Sequence, residues 1–158
     1  TSMYFQKSES NSDIDSFFGN FFDFPEEQEY ECIWCSHTLE HQLNVNLFLT
    51  KMKRLLRQNG VLAITVPPLK HDVVGGHLSL WNAGTLMYNL VMAGFDCSKA
   101  AILQYGYNIS IIVTKNEITL PDTLTYDRGD LELLADFFPP FVQQGFDGDI
   151  YEYNWHRN

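Results

Sequence analysis

The sequence predicts a single α/β domain whose sheet is mostly parallel, with an antiparallel strand near its C-terminal end. Short apolar runs alternate along the chain with segments of helical periodicity, in the order strand, helix, strand, helix, strand, strand. The 158 residues suffice for one domain with a core, and 45% of them are hydrophobic, as in ordinary globular proteins. We divide the chain into an N-terminal arm (1–30), an α/β core (31–115) and an acidic C-terminal extension (116–158).

The first half of the core predicts a strand–helix–strand unit. Glu31–Ser36 is short and mostly apolar, as is typical of a parallel strand buried on both faces. Asn44 is a suitable N-cap for a helix over 45–57, whose apolar residues recur at helical spacing and which we expect Gly60 to end. Val61–Val66 predicts a second buried strand, stopped by two prolines.

The second half of the core predicts a helix followed by two strands. A loop over 69–81 leads to a helix over 82–93, which Gly94 ends. An interrupted strand over 95–105 and an alternating strand over 107–114 are joined only by Gly106, so we expect an antiparallel hairpin.

Weaker patterns flank the core. Five phenylalanines between positions 17 and 24 predict a short strand near 14–18 or 21–22. In the acidic extension, a helix is expected over 129–138.

Charge and composition exclude several classes of protein. The formal net charge is −10, which disfavours nucleic acid as a partner. No apolar run is long enough for a membrane span, and no signal peptide is recognisable, so we expect no membrane association. Three cysteines are too few for a disulfide framework, and the expected location is therefore the cytoplasm.

Cys32 and Cys35 form a C-x-x-C pair. A redox pair needs its first thiol at a helix N-terminus, whereas this pair falls in a predicted strand. Residues i and i+3 of a strand point to opposite faces, so buried core cysteines are favoured over a redox or zinc role.

His37-Thr38-Leu39-Glu40-His41 matches H-x-x-E-H, an inverted zinc-protease motif. Histidines four apart on a helix can share one metal ion, although the motif also needs a third ligand downstream. Because it follows a strand directly, a zinc hydrolase is the less favoured alternative, and no residue is assigned as a metal ligand.

His77 is a candidate general base in the loop after the second strong strand. Loops at the carboxyl ends of parallel strands line the ligand crevice, and imidazole titrates near neutrality. The alternative is a surface histidine that packs on Trp81.

Three segments together resemble class I S-adenosylmethionine (SAM) dependent methyltransferases. They are FFGNFFDFP, YECIWCSHTLEHQLNVNLFLTKMKRLLRQNGVLAITVP and HLSLWNAGTLMYNLVMAGFD. The resemblance covers about residues 17–115 and corresponds to the C-terminal half of the family fold. It implies a truncated Rossmann-like methyltransferase sheet.

The resemblance also implies a cofactor and site residues. SAM would donate its sulfonium methyl to a nucleophile on a small-molecule acceptor. Asn20 and Phe21 match positions near the adenine ring, while Cys35, Ser36 and His37 match the strand end that faces the cofactor. His77 matches the acceptor side, and it or His37 is the expected base.

The chain departs from the family in three respects. It contains no glycine-rich G-x-G-x-x-G segment, no following strand that ends in a ribose-binding acid, and it has Asn20 where an acid often lies near the adenine ring. In the family, the strand that carries the glycine-rich segment pairs with the strand matched here by Glu31–Ser36. Without that strand an apolar edge is open, and such edges associate. We therefore expect a homodimer or another completing protein partner, or an N-terminal arm that covers the edge. The alternative function is a non-catalytic remnant that acts as an interaction or regulatory module.

Overall fold

The computed structural model describes residues 16–127, 129–140 and 150–155. Within them a five-stranded sheet has the order β1-β2-β4-β3-β5. The strands and helices are, in chain order, β1 (Tyr30–Ser36), α1 (Val45–Leu55), β2 (Leu56–Val66), α2 (Ala83–Met92), β3 (Ala101–Tyr105), β4 (Asn108–Thr114), α3 (Asp130–Leu133) and β5 (Glu152–Tyr153). Short 3-10 turns cover Phe21–Asp23, Leu39–His41 and Ala135–Phe137.

The α/β class is confirmed, but a mostly parallel sheet is not. Only β1 and β2 pair in parallel, whereas β2–β4, β3–β4 and β3–β5 are antiparallel. The reason is topological. The crossover through α2 places β3 in the same direction as β2 but not beside it, and the hairpin strand β4 lies between the two. The hairpin itself was predicted, whereas its insertion into the sheet was not.

Both core helices begin within one residue of the predicted start, and an asparagine caps each. The Asn44 side chain accepts a hydrogen bond from the Leu47 N–H (3.0 Å), and Asn82 accepts one from Thr85 (2.8 Å). Gly94, at φ 90°, ends α2 as expected.

The end of α1 was predicted wrongly. The helix stops at Leu55, and the chain enters β2 at once. Gly60 therefore lies inside the strand, where a Cβ atom would approach the Arg57 carbonyl oxygen to 2.8 Å. The glycine serves this close backbone approach and does not cap the helix.

The aromatic segment before β1 packs on α1 as a turn. A 3-10 turn covers Phe21–Asp23, so the strand predicted at 21–22 is wrong, and part of the alternative strand over 14–18 lies outside the described residues. The Phe21 and Phe48 ring centroids are 4.7 Å apart. Lys51 of α1 is 2% exposed and donates hydrogen bonds to the carbonyl oxygens of Phe22 (2.7 Å) and Phe24 (2.6 Å). These contacts hold the segment before β1 against α1.

Helices cover one face of the sheet, whereas the other face is more exposed to solvent. The face that packs with α1 and α2 carries fully buried aliphatic residues such as Leu62, Ile64 and Ile111. On the other face, Trp34, Ala63 and Ile112 lie side by side in register on β1, β2 and β4. Trp34 is 75% exposed there.

The less covered face also carries a shallow cavity of about 220 Å³. Its lining includes the aromatic side chains of Trp34, Tyr105 and Trp155.

The predicted helix over 129–138 is shorter than expected. It consists of the four-residue α3 and the following 3-10 turn, and Leu131, Leu134 and Phe138 join the core. No helix among the described residues is long and apolar enough to cross a bilayer.

Candidate functional site

The candidate site begins where β1 ends. His37 follows the strand with φ 49°, and its backbone N–H donates to the Thr65 carbonyl oxygen of β2 (2.9 Å). Its side-chain Nε2 lies 2.8 Å from Asn108 Oδ1, at the first residue of β4. The His37 ring therefore lies at the edge of the sheet where β1 and β2 end and β4 begins, which is where α/β sheets bind ligands.

The loop after β2 folds back onto the turn after β1. The Glu40 carbonyl oxygen accepts hydrogen bonds from the Leu78 N–H (2.7 Å) and, at longer range, the Ser79 N–H (3.4 Å). His41 Nδ1 lies 2.8 Å from the Gly76 carbonyl oxygen. Gly76 has φ 87°, which favours glycine at this close approach.

This folding brings three imidazoles around one carboxylate. Glu40 is 1% exposed. Its Oε1 lies 3.5 Å from His37 Nδ1 and 3.7 Å from His41 Nε2. The His41 and His77 rings meet edge to face, with centroids 4.9 Å apart. We call Glu40, His37, His41 and His77 the histidine cluster.

Cys35 lies one residue before the end of β1, and its side chain points into the core. Burial raises the pKa of its thiol to about 11, against a lowering by the Thr38 hydrogen bond and with a further increase from Glu40. Burial also raises the pKa of the fully buried Cys97. Both sulfurs therefore stay protonated at neutral pH and are poor nucleophiles.

The C-x-x-C pair splits as expected from a strand. Cys32 is exposed while Cys35 is 8% exposed, and both are free thiols. The prediction of two buried cysteines is therefore wrong for Cys32.

The structure brings together only some of the predicted site residues. His37 and His77 share the histidine cluster, and Ser36 directly precedes His37. His77 packs against His41, whereas the sequence suggested Trp81. Asn20 and Phe21 have structural contacts: Asn20 accepts a hydrogen bond from Phe22 N (3.1 Å), and Phe21 packs on α1.

From the sequence, Glu40 and His41 were identified only as part of the H-x-x-E-H motif. Neither was assigned to the candidate site. The motif predicts a helix. In the structure its last three residues form a 3-10 turn, and the backbone of His37 has a left-handed conformation. The sequence signal for their convergence was the pair of glycines that lets the loop at 75–79 close over them.

Comparison with protein families supports the resemblance. Residues 4–64 match the family described as methyltransferase domain. The matched stretch includes β1, α1 and most of β2. The chain is thus a methyltransferase-like protein, similar to the class I SAM-dependent family. No curated protein matches it.

Methyltransferase domains of this kind generally use SAM. The described residues of this chain do not by themselves fit that group. Cys35 points into the core, and Asn20 and Phe21 are engaged with the turn before β1 and with α1. We therefore derive no catalytic step from the cofactor.

Proposed function

We propose that this chain is a SAM-dependent methyltransferase-like protein whose cofactor site is completed by a second copy paired at the exposed edge of β1. The observation that carries the proposal is the position of β1, which among the described residues is the outer strand of the sheet although its sequence is apolar. Interior parallel strands have such sequences, and an uncovered apolar edge favours association.

The exposed sheet face supports the same proposal. Parallel strands are normally covered on both sides. Here α1 and α2 pack on one side, while Trp34 on the other remains 75% exposed beside an aromatic-lined cavity. A second copy that pairs with β1 would also bring apolar surface against this face.

The position of the histidine cluster supports an acceptor-side role. His37 directly follows β1 and His77 lies in the loop after β2, so both lie on the side of the sheet where the two parallel strands end. In this proposal the histidine cluster of this chain binds the acceptor, and the cofactor binds at the edge of β1 that the second copy completes.

Sedimentation velocity in the presence of S-adenosylhomocysteine tests this proposal. The wild-type chain should sediment as a dimer. Trp34→Glu should sediment as a monomer, because it places a charge on the exposed face beside the pairing edge. Leu133→Glu is the matched control: Leu133 is also an exposed apolar residue, but it lies on α3, and its variant should remain dimeric.

A wild-type monomer, or a Trp34→Glu dimer as stable as the wild type, would overturn completion at this edge. If the wild type dimerises and isothermal titration detects no S-adenosylhomocysteine up to millimolar concentration, the SAM function is refuted. The chain is then better described as a non-catalytic interaction module.

A further inference from the structure

The Glu40 carboxylate is in an unusual electrostatic environment. It is 1% exposed, and neither of its oxygens accepts a hydrogen bond from the described residues. A buried charge without hydrogen bonds is costly, so such carboxylates are normally paired or bound to a metal ion. The nearest candidates are imidazole nitrogens, and their distances of 3.5 and 3.7 Å are too long for good hydrogen bonds.

The hydrogen bonds of the histidines determine which nitrogen faces Glu40. The Gly76 carbonyl oxygen can only accept, so His41 must donate from Nδ1. Neutral His41 then presents the lone pair of Nε2 toward the carboxylate. In His37 the two ring nitrogens exchange these roles. Nε2 donates to Asn108 Oδ1, and the Nδ1 lone pair faces Glu40. Two lone pairs that face a carboxylate oxygen repel it unless a proton or a metal cation lies among them.

This arrangement is the one in which histidines bind metals. A ligating histidine almost always donates its other N–H to a carbonyl or carboxylate oxygen, which fixes the tautomer and the ring orientation. His41 meets this condition through Gly76, on a loop held to Glu40 by backbone hydrogen bonds.

The distances fit a common ion. Two ligand atoms that each lie about 2.1 Å from one tetrahedral ion are about 3.4 Å apart. The ligand atoms of Glu40, His41 and His77 all lie within 4.8 Å of one another, and the Glu40–His41 separation is 3.7 Å. His77 is half-buried on the loop after β2.

We infer that Glu40, His41 and His77 bind one divalent transition-metal ion of the zinc class, with the His37 ring adjacent to the Glu40 carboxylate. Imidazole nitrogens with a single carboxylate favour zinc over magnesium, which prefers oxygen ligands. The inference does not depend on SAM binding, because it follows from the side chains of this chain alone.

Calorimetric titration with Zn²⁺ tests the site, in a Cys32→Ser background that removes the exposed thiol. The background protein should bind one ion per chain. Glu40→Gln and His77→Ala should weaken binding by roughly tenfold or more. His71→Ala is the matched control, since this exposed histidine lies in the same loop outside the cluster, and it should bind like the background protein.

Thermal denaturation distinguishes lost ligands from lost folding. In chelator, Glu40→Gln should melt at a higher temperature than the background protein, because an amide can donate to the His41 lone pair and carries no buried charge. Addition of Zn²⁺ should raise the melting temperature of the background protein by more than that of Glu40→Gln, whose binding is weaker. Absence of stoichiometric Zn²⁺ binding, or an equal loss in His71→Ala and His77→Ala, would overturn the metal site.

Discussion

Replacement of Lys51 by methionine tests how the segment before β1 is held to the fold. Lys51 is 2% exposed, and its ammonium donates to two backbone carbonyl oxygens and lies 3.4 Å from Glu26. Methionine preserves most of the apolar stem and removes only the charged donor. Hydrogen bonds from a charged group contribute about 1.5–3 kcal/mol each, so two of them at the lower end sum to about 3 kcal/mol. The half-exposed Glu26 adds little to this figure.

Urea denaturation provides the assay. With a slope of about 2 kcal/mol/M, a loss of about 3 kcal/mol lowers the midpoint by about 1.5 M. Arg54→Met is the matched control on the same helix. Arg54 also pairs with Glu26 (2.7 and 3.0 Å), but its side chain is 54% exposed and its loss should move the midpoint far less. Equal midpoint shifts for the two variants would refute the reasoning that burial of the Lys51 ammonium decides its contribution.

Three further predictions concern single groups. Backbone hydrogen bonds hold the pKa of Asp130 below its usual value, so its stabilisation is present above about pH 4 and is lost as the pH falls further. Acid denaturation of Asp130→Asn should therefore show a weaker pH dependence, and an unchanged profile would contradict this. At pH 8, iodoacetamide should modify only Cys32 in the native chain but all three thiols in denaturant. The reason is that burial raises the pKa of Cys35 and Cys97. Rapid labelling of more than one thiol in the native chain would contradict the burial of these two cysteines. Gly60→Ala should lose about 2 kcal/mol in urea denaturation, because its Cβ would meet a backbone carbonyl of the same strand; a neutral variant would show that β2 adapts.

The raised pKa of Cys35 also has a consequence for alkaline stability. The folded chain keeps this thiol protonated to about pH 11, whereas the unfolded chain releases the proton near pH 8.5. Across this pH window the folded state therefore binds more protons than the unfolded state. The free energy of unfolding consequently falls as the pH rises through the window. The expected measurement is a urea midpoint that declines above about pH 8.5 in the wild type and less steeply in Cys35→Ala.

Local patterns predicted much of the fold. The cap at Asn44 and the apolar runs that became β1 and β2 are properties of a few neighbouring residues, and the structure confirms them. Strand order is not local. The insertion of β4 between β2 and β3 depends on how the second crossover and the hairpin pack together, and no segment alone encodes it.

Part of the candidate site followed from the sequence as well. His77 was predicted from its place in the loop after a strong strand, and His37 from the resemblance to the methyltransferase family. The burial of Glu40 and Lys51 could not be predicted, since charged residues are ordinarily exposed and their partners lie on distant segments. Only the fold shows that the turn at 21–23 covers Lys51 of α1.

Equilibrium dialysis of the wild-type chain against radiolabelled SAM, repeated over a range of chain concentrations, tests the central proposal most directly. If a second copy completes the cofactor site, the fraction of chains that bind SAM should rise with chain concentration, in step with the dimer fraction, and should fall in Trp34→Glu. Absence of SAM binding at any chain concentration, with SAM up to millimolar, would contradict the proposal and leave the chain as a methyltransferase-like module without a cofactor site.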